Sequence, residues 1–468
     1  MFKLKQNNTT VRTELVAGIT TFMAMAYILM VNAGMFSTLG GDALGASYYN
    51  AVYIATALSA VFGTLLIGLL SNLPLAQASG MGLNAFFVYS VCIGMGFTYA
   101  NALVMVLVDG IVFLLLTVTG LRRLIFDAIP KAVKAAIAPG IGLFIAFLGL
   151  QNSGIVVNSD STLVDLHSFN IIFGHTTWAE IMPLLITIAA LIAIGAMSKK
   201  KIKGAVFWGI IGGAVLYYAL GLLTIDGFYA SNVQSKLSLN IIQPFRDFFN
   251  ISFGKVFTEG FNFSEYIAAN GVGSFAATFI ASMLAFCMVD MFDTLGTLYG
   301  ACSAGNLLDK DGNVPNMNKA MLADAAATCF GAVCGTSTVT TFVESSAGIA
   351  EGGKTGLSSV FTAAMFFIAM FLAPIAALIP SCATAASLIF VGILMIGGKE
   401  IDWSDASAAV PAFMTMAIMP FTYNISYGIA FGLISYIFIK LFTGKIKDIS
   451  LSTWIIGILF AAMFFIAR

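Results

Sequence analysis

The sequence predicts an all-α membrane protein of about fourteen transmembrane spans in a seven-plus-seven inverted repeat, with short strand-like breaks in spans 3 and 10. Three observations carry this. The 468 residues are 59% hydrophobic and only 9% charged, with a mean hydropathy of +0.95, outside the range of soluble domains. Apolar runs near the ~20 residues that a spanning helix needs recur along the whole chain. Two of them are interrupted at mid-run by Gly, Ser, Thr and acidic residues, and they fall at matching places in the two halves.

The runs lie near 14–37, 50–70, 75–95, 101–121, 131–150, 180–198, 204–223, 268–300, 318–333, 337–352, 356–380, 382–398, 406–421 and 425–441, with a shorter tail run at 452–467. They leave no stretch for a soluble domain, so residues 1–468 read as one polytopic membrane domain in the cell membrane. Lys3, Lys5 and Arg12 precede the first run, which lacks a small-residue cleavage site and reads as a retained helix. Arg122, Arg123, Lys131 and Lys134 follow the fourth run, and Lys199, Lys200, Lys201 and Lys203 the sixth, whereas 151–179 has acids and histidines but no Lys or Arg. Asp309, Lys310, Lys319, Lys399, Lys440, Lys445 and Lys447 continue the pattern, which places the N-terminus in the cytoplasm.

Net charge is zero, which argues against a nucleic-acid partner. Cys92, Cys287, Cys302, Cys329, Cys334 and Cys382 form no CxxC pair, and His167 and His175 share one polar loop. No metal ligand set and no cofactor motif emerges. The Glu351-Gly352-Gly353-Lys354-Thr355-Gly356 turn lacks phosphate-loop spacing and reads as a wet hinge at a half-helix exit.

The chemistry concentrates in three places. Asp290, Asp293, Thr294 and Thr297 form one stripe of the eighth run. A carboxylate at bilayer depth costs about 2.5 kcal/mol or more, so the stripe faces protein or water. It is read as acceptors for a substrate plus a carboxylate able to take a proton; a polar seam between helices is the alternative. In the tenth run a β-branched stretch, Thr338-Val339-Thr340-Thr341, leads into Glu344-Ser345-Ser346, a strand meeting a half-helix. Glu344 is a substrate acceptor or a capping carboxylate. In the third run Ala78-Ser79-Gly80-Met81-Gly82 precedes Leu83-Asn84-Ala85-Phe86-Phe87. Asn84 both donates and accepts, which suits the edge of a planar heterocycle or a helix-packing bond; Asn32 is similar but weaker. Phe86, Phe87, Phe292 and Phe342 are stacking candidates or plain packing. Asp324 and Lys319 are read as a structural pair.

Met81 to Phe87, Val289 to Thr297 and Gly335 to Gly353, with Thr21 to Ile28, Pro411 to Thr415 and Met419 to Tyr423, resemble purine permeases. The resemblance is to the adenine/guanine/hypoxanthine, or azaguanine-like, branch of the nucleobase–ascorbate (second nucleobase:cation symporter) family, and it extends across nearly the whole chain. The sequence departs from that branch at Asn32-Ala33, where Asn-Pro is usual, and at Ala78-Ser79-Gly80, where Ala-Pro-Gly is common. The resemblance implies the uracil-permease fold, with a core of 14–121 plus 268–380 and a gate of 131–223 plus 382–441. It maps the eighth-span acid onto Asp290 with Asp293 as the second acid, the tenth-span glutamate onto Glu344 and the third-span asparagine onto Asn84.

The expected activity is import of a purine nucleobase such as hypoxanthine, guanine or adenine with a proton. Asn84, Gly82, Phe86, Asp290, Glu344, Ser345 and Ser346 would contact the base, and Asp290, Asp293 and Glu344 would be the proton-coupling set. Partners are the base, the proton and the lipid bilayer, with a homodimer left open. The alternatives are the same fold carrying xanthine, a pyrimidine or an anion, and more remotely an intramembrane enzyme. An anion carrier would favour Arg or Lys at the site rather than several acids, and an enzyme would need a nucleophile–base or metal set.

Overall fold

The computed structural model describes residues 2–119, 129–171, 174–234, 240–305, 307–308, 310, 314–396 and 401–466. Arg122, Arg123, Asp309 and Lys399, which entered the orientation argument, lie outside the described residues. Among the described residues the helices and breaks group into fourteen spans, seven in each half. The first half comprises Val11–Ser37, Gly41–Ser71, the broken third span, Tyr99–Thr119, Lys131–Asn152, Trp178–Lys199 and Ala205–Thr224. The second comprises Ser264–Ala304 (bent at Gly271, φ 80°), Met317–Cys334, the broken tenth span, Gly356–Ala376, Ser381–Ile396, Ala406–Thr422 and Ile425–Phe442. A further helix, Leu451–Ile466, packs along spans 8 and 14.

The breaks are local consequences of sequence. Span 3 begins as strand β1 (Gln77–Ser79), turns at Gly80 and becomes the half-helix Met81–Gly94. A hairpin in the loop between spans 5 and 6 supplies β2 (Val156–Ser159) and β3 (Leu163–Leu166). Span 10 begins as β4 (Val339–Thr341), where β-branched side chains favour the extended form, and continues as the half-helix Ser345–Ala350. β1 and β4 run antiparallel with Gln77 opposite Thr341, Ala78 opposite Thr340 and Ser79 opposite Val339. Two flanking bonds, Gly80 N–H to Thr338 O at 3.0 Å and Phe342 N–H to Ala76 O at 3.0 Å, extend the pairing. Non-helical backbone at this depth survives only because each strand satisfies the other.

Spans 1, 2, 4, 8, 9 and 11 pack around this crossing, while spans 5, 6, 7, 12, 13 and 14 pack chiefly on one another. In the second group spans 5 and 12 meet at Gly142 and Gly392, where a Cβ on either residue would collide with the other's carbonyl oxygen. Spans 3 and 10, like 5 and 12, hold equivalent places in the two halves, and each pair meets across the halves.

Hydrogen bonds fix which ends share a face. Lys203, between spans 6 and 7, pairs with Glu351, at the exit of the tenth half-helix, at 2.5 Å. The buried Glu14 near the N-terminus accepts from the backbone N–H of Lys354 (3.1 Å), Thr355 (3.4 Å) and Ser358 (3.2 Å). That carboxylate caps the start of span 11, where the helix end favours negative charge. On the opposite face Asn50 donates to Asp247 at 2.8 Å and Tyr49 to Ala376 O at 2.9 Å.

Replacing Gly392 by valine should overpack the span 5–span 12 crossing and cost about 1–3 kcal/mol. A thermal-unfolding series on detergent-purified protein should show a clearly lowered midpoint; a wild-type midpoint would mean the helices do not cross this closely.

Candidate functional site at the crossing of two broken spans

In front of the β1–β4 pair lies a cavity of about 80 Å³. The broken spans line it with Gly80, Met81 and Gly82 on one side and Thr341, Phe342, Val343 and Glu344 on the other. Span 1 contributes Tyr27, span 8 Asp293 and Thr297, and span 12 of the other helix group Val391 and Met395. Glu344 is half-buried where the strand ends, and Tyr27 donates its hydroxyl proton to Glu344 Oε1 at 2.6 Å. Asn84 N–H makes the first bond of the third-span half-helix, to Gly80 O at 2.8 Å. The preceding N–H groups, from Met81 and Gly82, therefore lie in the part of a helix that has no intrahelical acceptor. Gly82 has no Cβ because Ile141 of span 5 occupies that space.

A second layer lies behind the strands. Asp324 of span 9 is fully buried and accepts from Gln77 Nε2 (2.8 Å), Thr294 Oγ1 (2.8 Å) and Thr341 Oγ1 (3.4 Å). It thereby holds the facing pair Gln77 and Thr341, one from each strand. Thr294 and Thr340 share a further bond at 2.7 Å. Asp324 does not pair with Lys319: five residues separate them, about 140° around a helix, and Lys319 is exposed while Asp324 points inward. Glu351, in the turn at the half-helix exit, pairs with Lys203.

The residues expected to act from sequence divide between these layers. Asp293 and Glu344 face the cavity with Gly82. Asp290 does not line it; it is fully buried, and neither of its oxygens has a hydrogen-bond partner among the described residues. The stripe of acids and threonines spans about 100° of helix circumference, wide enough for Asp293 and Thr297 to face the cavity while Asp290 and Thr294 face the neighbouring helices. Asn84 is also buried behind the strand, accepting from Ser79 Oγ at 2.6 Å and from Ser337 Oγ, and donating to Ser79 O at 3.3 Å. Asn32 joins the same polar layer through Thr56 (2.7 Å) and Thr336 (3.0 Å).

Ser345 and Ser346 offer no free backbone donor, since their N–H groups are turned back to Phe342 O (3.1 Å) and Val343 O (2.9 Å). Ser345 Oγ accepts from Ala76 N–H at 3.0 Å instead. Phe86 packs edge-on against Phe286, with ring centroids 4.8 Å apart, and Phe87 against Phe36 at 4.9 Å. Of the aromatic candidates Phe342 reaches the cavity, and the side chain of Phe292 lies outside the described residues. Tyr27 is the site residue the pattern of acids and breaks did not single out. Its signal, a tyrosine hydroxyl in an apolar span that must find a partner when buried, was present but not specific.

The lining brings together two carboxylates as acceptors, half-helix N–H groups as donors and the aromatic Phe342, with Val391 and Met395 of span 12 on the remaining side. A cleft of about 290 Å³ between the same helix groups, lined in part by Met30, Gly34, Asn152, Thr384 and Leu388, opens at the face opposite the N-terminus. Among the described residues no three His, Cys, Asp or Glu side chains converge as a metal site.

An inverted-repeat bundle with a polar cavity between two broken spans defines a multi-pass membrane transporter. The comparisons make that specific: a model described as "Permease family" matches residues 12–431, and the chain belongs to that family. The chain is 36% identical over 474 residues to the guanine/hypoxanthine permease PbuO of Bacillus subtilis, covering 100% of both chains. It is 34% identical over 461 residues to the adenine permease AdeP of Escherichia coli, covering 98% of this chain and 94% of that one. The transmembrane domain of the cyanobacterial bicarbonate transporter BicA has the same fold at 15% identity, with a TM-score of 0.61 over 89% of this chain and 97% of that one. The protein is a permease, not an enzyme.

Asp324→Ala should strand the donors of Gln77 and Thr294 behind the strands and destabilise the protein by roughly 3 kcal/mol. Thermal unfolding of the purified variant checks this; an unchanged midpoint would show that the strands do not depend on that carboxylate.

Proposed function

We propose that this permease imports a purine nucleobase, hypoxanthine, guanine or adenine, together with a proton. The observation that carries the reading is the placement of Asp293, Glu344 and Tyr27 around one cavity in a chain alignable end to end with guanine/hypoxanthine and adenine permeases. Carboxylates beside a neutral heterocycle accept its ring and exocyclic N–H protons, while the N–H groups of Met81 and Gly82 meet its carbonyl or ring nitrogen. Charge-assisted bonds of this kind are the strong ones, and Phe342 supplies the stacking face. The acidic lining disfavours an anion, so bicarbonate-like cargo is not the reading despite the shared fold.

The cavity, about 80 Å³, lies well below the ~300 Å³ at which ligand pockets begin. Loading therefore needs the two helix groups to part. In our reading a core (14–121 and 268–380) carrying the broken spans moves against a gate (131–223 and 382–441) whose Val391 and Met395 cover the site. The Lys203–Glu351 pair joins gate to core at the N-terminal face, and the cleft lies at the other. With the N-terminus cytoplasmic, the base enters from outside through that cleft. The coupling proton resides on a span-8 acid: Asp293 and Glu344 bind the base, and Asp290, buried without a donor among the described residues, holds the proton.

Uptake of labelled hypoxanthine by cells or proteoliposomes, competed by a panel of bases, tests the substrate class. Purines should compete and uracil and bicarbonate should not; competition by uracil alone would overturn the reading. Uptake should rise as the outside is acidified, need no sodium and collapse with an uncoupler; strict sodium dependence would remove the proton. Asp293→Asn and Tyr27→Phe should each weaken base binding, by about tenfold or more for the acid, given ~1.5–3 kcal/mol for a bond to a charged group. Titration calorimetry on the purified proteins reads this, and wild-type affinity in Asp293→Asn would place the base elsewhere.

A further inference from the structure

We infer that Asp109, in the middle of span 4, shares the coupling proton with Asp290 and is a proton-coupling residue of this permease. Asp109 is fully buried, and neither of its carboxyl oxygens has a hydrogen-bond partner among the described residues. The same holds for both oxygens of Asp290. Asp324, the third acid of the cluster, is by contrast satisfied by Gln77, Thr294 and Thr341. Two acids without donors thus sit beside one that has three.

Among the described residues the packing gives these two acids no counter-charge. At the neighbouring Gly110, a Cβ would lie 2.7 Å from Cys329 Sγ and 2.9 Å from Cys329 N, so spans 4 and 9 touch backbone to backbone here. The titratable groups facing Asp109 are Asp324 and Cys329 from span 9 and Cys287 from span 8, where Cys287 faces Asp290 as well. Asp290 in turn faces Asp109, Asp324, Asp293 and Cys329. None of these groups is a cation. An ionised carboxylate without donor or counter-charge at membrane depth is untenable, so the pair is accommodated with protons aboard. Neighbouring carboxyls of this kind titrate as a unit rather than singly.

The position connects the pair to the base. Asp290 lies one helical turn before Asp293 on span 8, and Asp324 beside the pair grips the two strands that form the back of the cavity. In each cycle the pair carries its protons through the closed packing; when the helix groups part and water reaches it, one O–H bond breaks and that proton leaves, and a proton from the other side re-forms the bond before the site closes again. No oxidation or co-reactant enters the balance. Asp293 and Glu344 remain free to accept from the base.

This inference rests on the proton-coupled reading above, and Asp109→Asn tests it. Asn keeps the shape and removes the exchangeable proton. The variant should keep measurable base binding and base-for-base exchange, lose accumulation driven by a proton gradient, and show a flat pH profile. Gradient-driven accumulation with a wild-type pH profile would overturn it. If the asparagine variant does not reach the membrane, Asp109→Glu, which moves the acid by one methylene, should shift the pH profile; a superimposable profile would overturn the assignment. Difference infrared spectroscopy of the full-length protein reads the proton whatever the cargo: the C=O band of protonated carboxyls should diminish in Asp109→Asn, and an unchanged band would overturn the assignment. If wild-type protein moves no purine while that band is lost in the variant, the substrate reading fails and the proton site stands.

Discussion

The rest of the molecule depends on the requirement that backbone N–H and C=O groups be satisfied where no water can do it. Among the described residues two spans break partway, and each break would leave unbonded peptide groups in a bilayer. The three-residue pairing of β1 with β4, extended by the Gly80–Thr338 and Phe342–Ala76 bonds, removes that penalty. It also determines function, because pairing two strands from opposite halves brings the starts of two half-helices to one place. The cavity is what remains in front of that crossing.

A graded polarity is built outward from the pair. Hydroxyls and amides of Ser79, Asn84, Thr336 and Ser337 satisfy one another on the side of Asn32, and Asp324 binds both strands from behind. Buried polar groups left partly satisfied are the costly ones, and Asp109 and Asp290 each leave both carboxyl oxygens without a partner among the described residues, whereas Asp324 accepts from three donors.

Much of the fold was legible because bilayer constraints act locally on sequence. Run lengths gave the spans, and Gly-Met-Gly in one half and Thr-Val-Thr-Thr in the other marked the breaks. Which residues face the cavity was less legible, because a helical stripe about 100° wide can look onto two neighbours at once. Asp290 and Asp293, one turn apart, consequently serve different layers. Ser345 and Ser346 have capping chemistry, yet a tight turn consumes their N–H groups. Asn84 has the bonding capacity to read a base, yet the folded chain spends it on Ser79 and Ser337. Asp109, Tyr27 and Glu14 are single polar residues in apolar runs, and their partners lie hundreds of residues away or, for Asp109, are absent among the described residues. Only tertiary structure separates such cases.

The central claim is that the base lies at the strand crossing between the two helix groups. An experimental structure of the purified permease with hypoxanthine bound tests it most directly. The account predicts density for a planar base between Tyr27, Asp293, Phe342 and Glu344, with Val391 and Met395 withdrawn or closed over it. A base lodged instead in the outer cleft beside Asn152 and Thr384, with the cavity at the crossing empty, would contradict it.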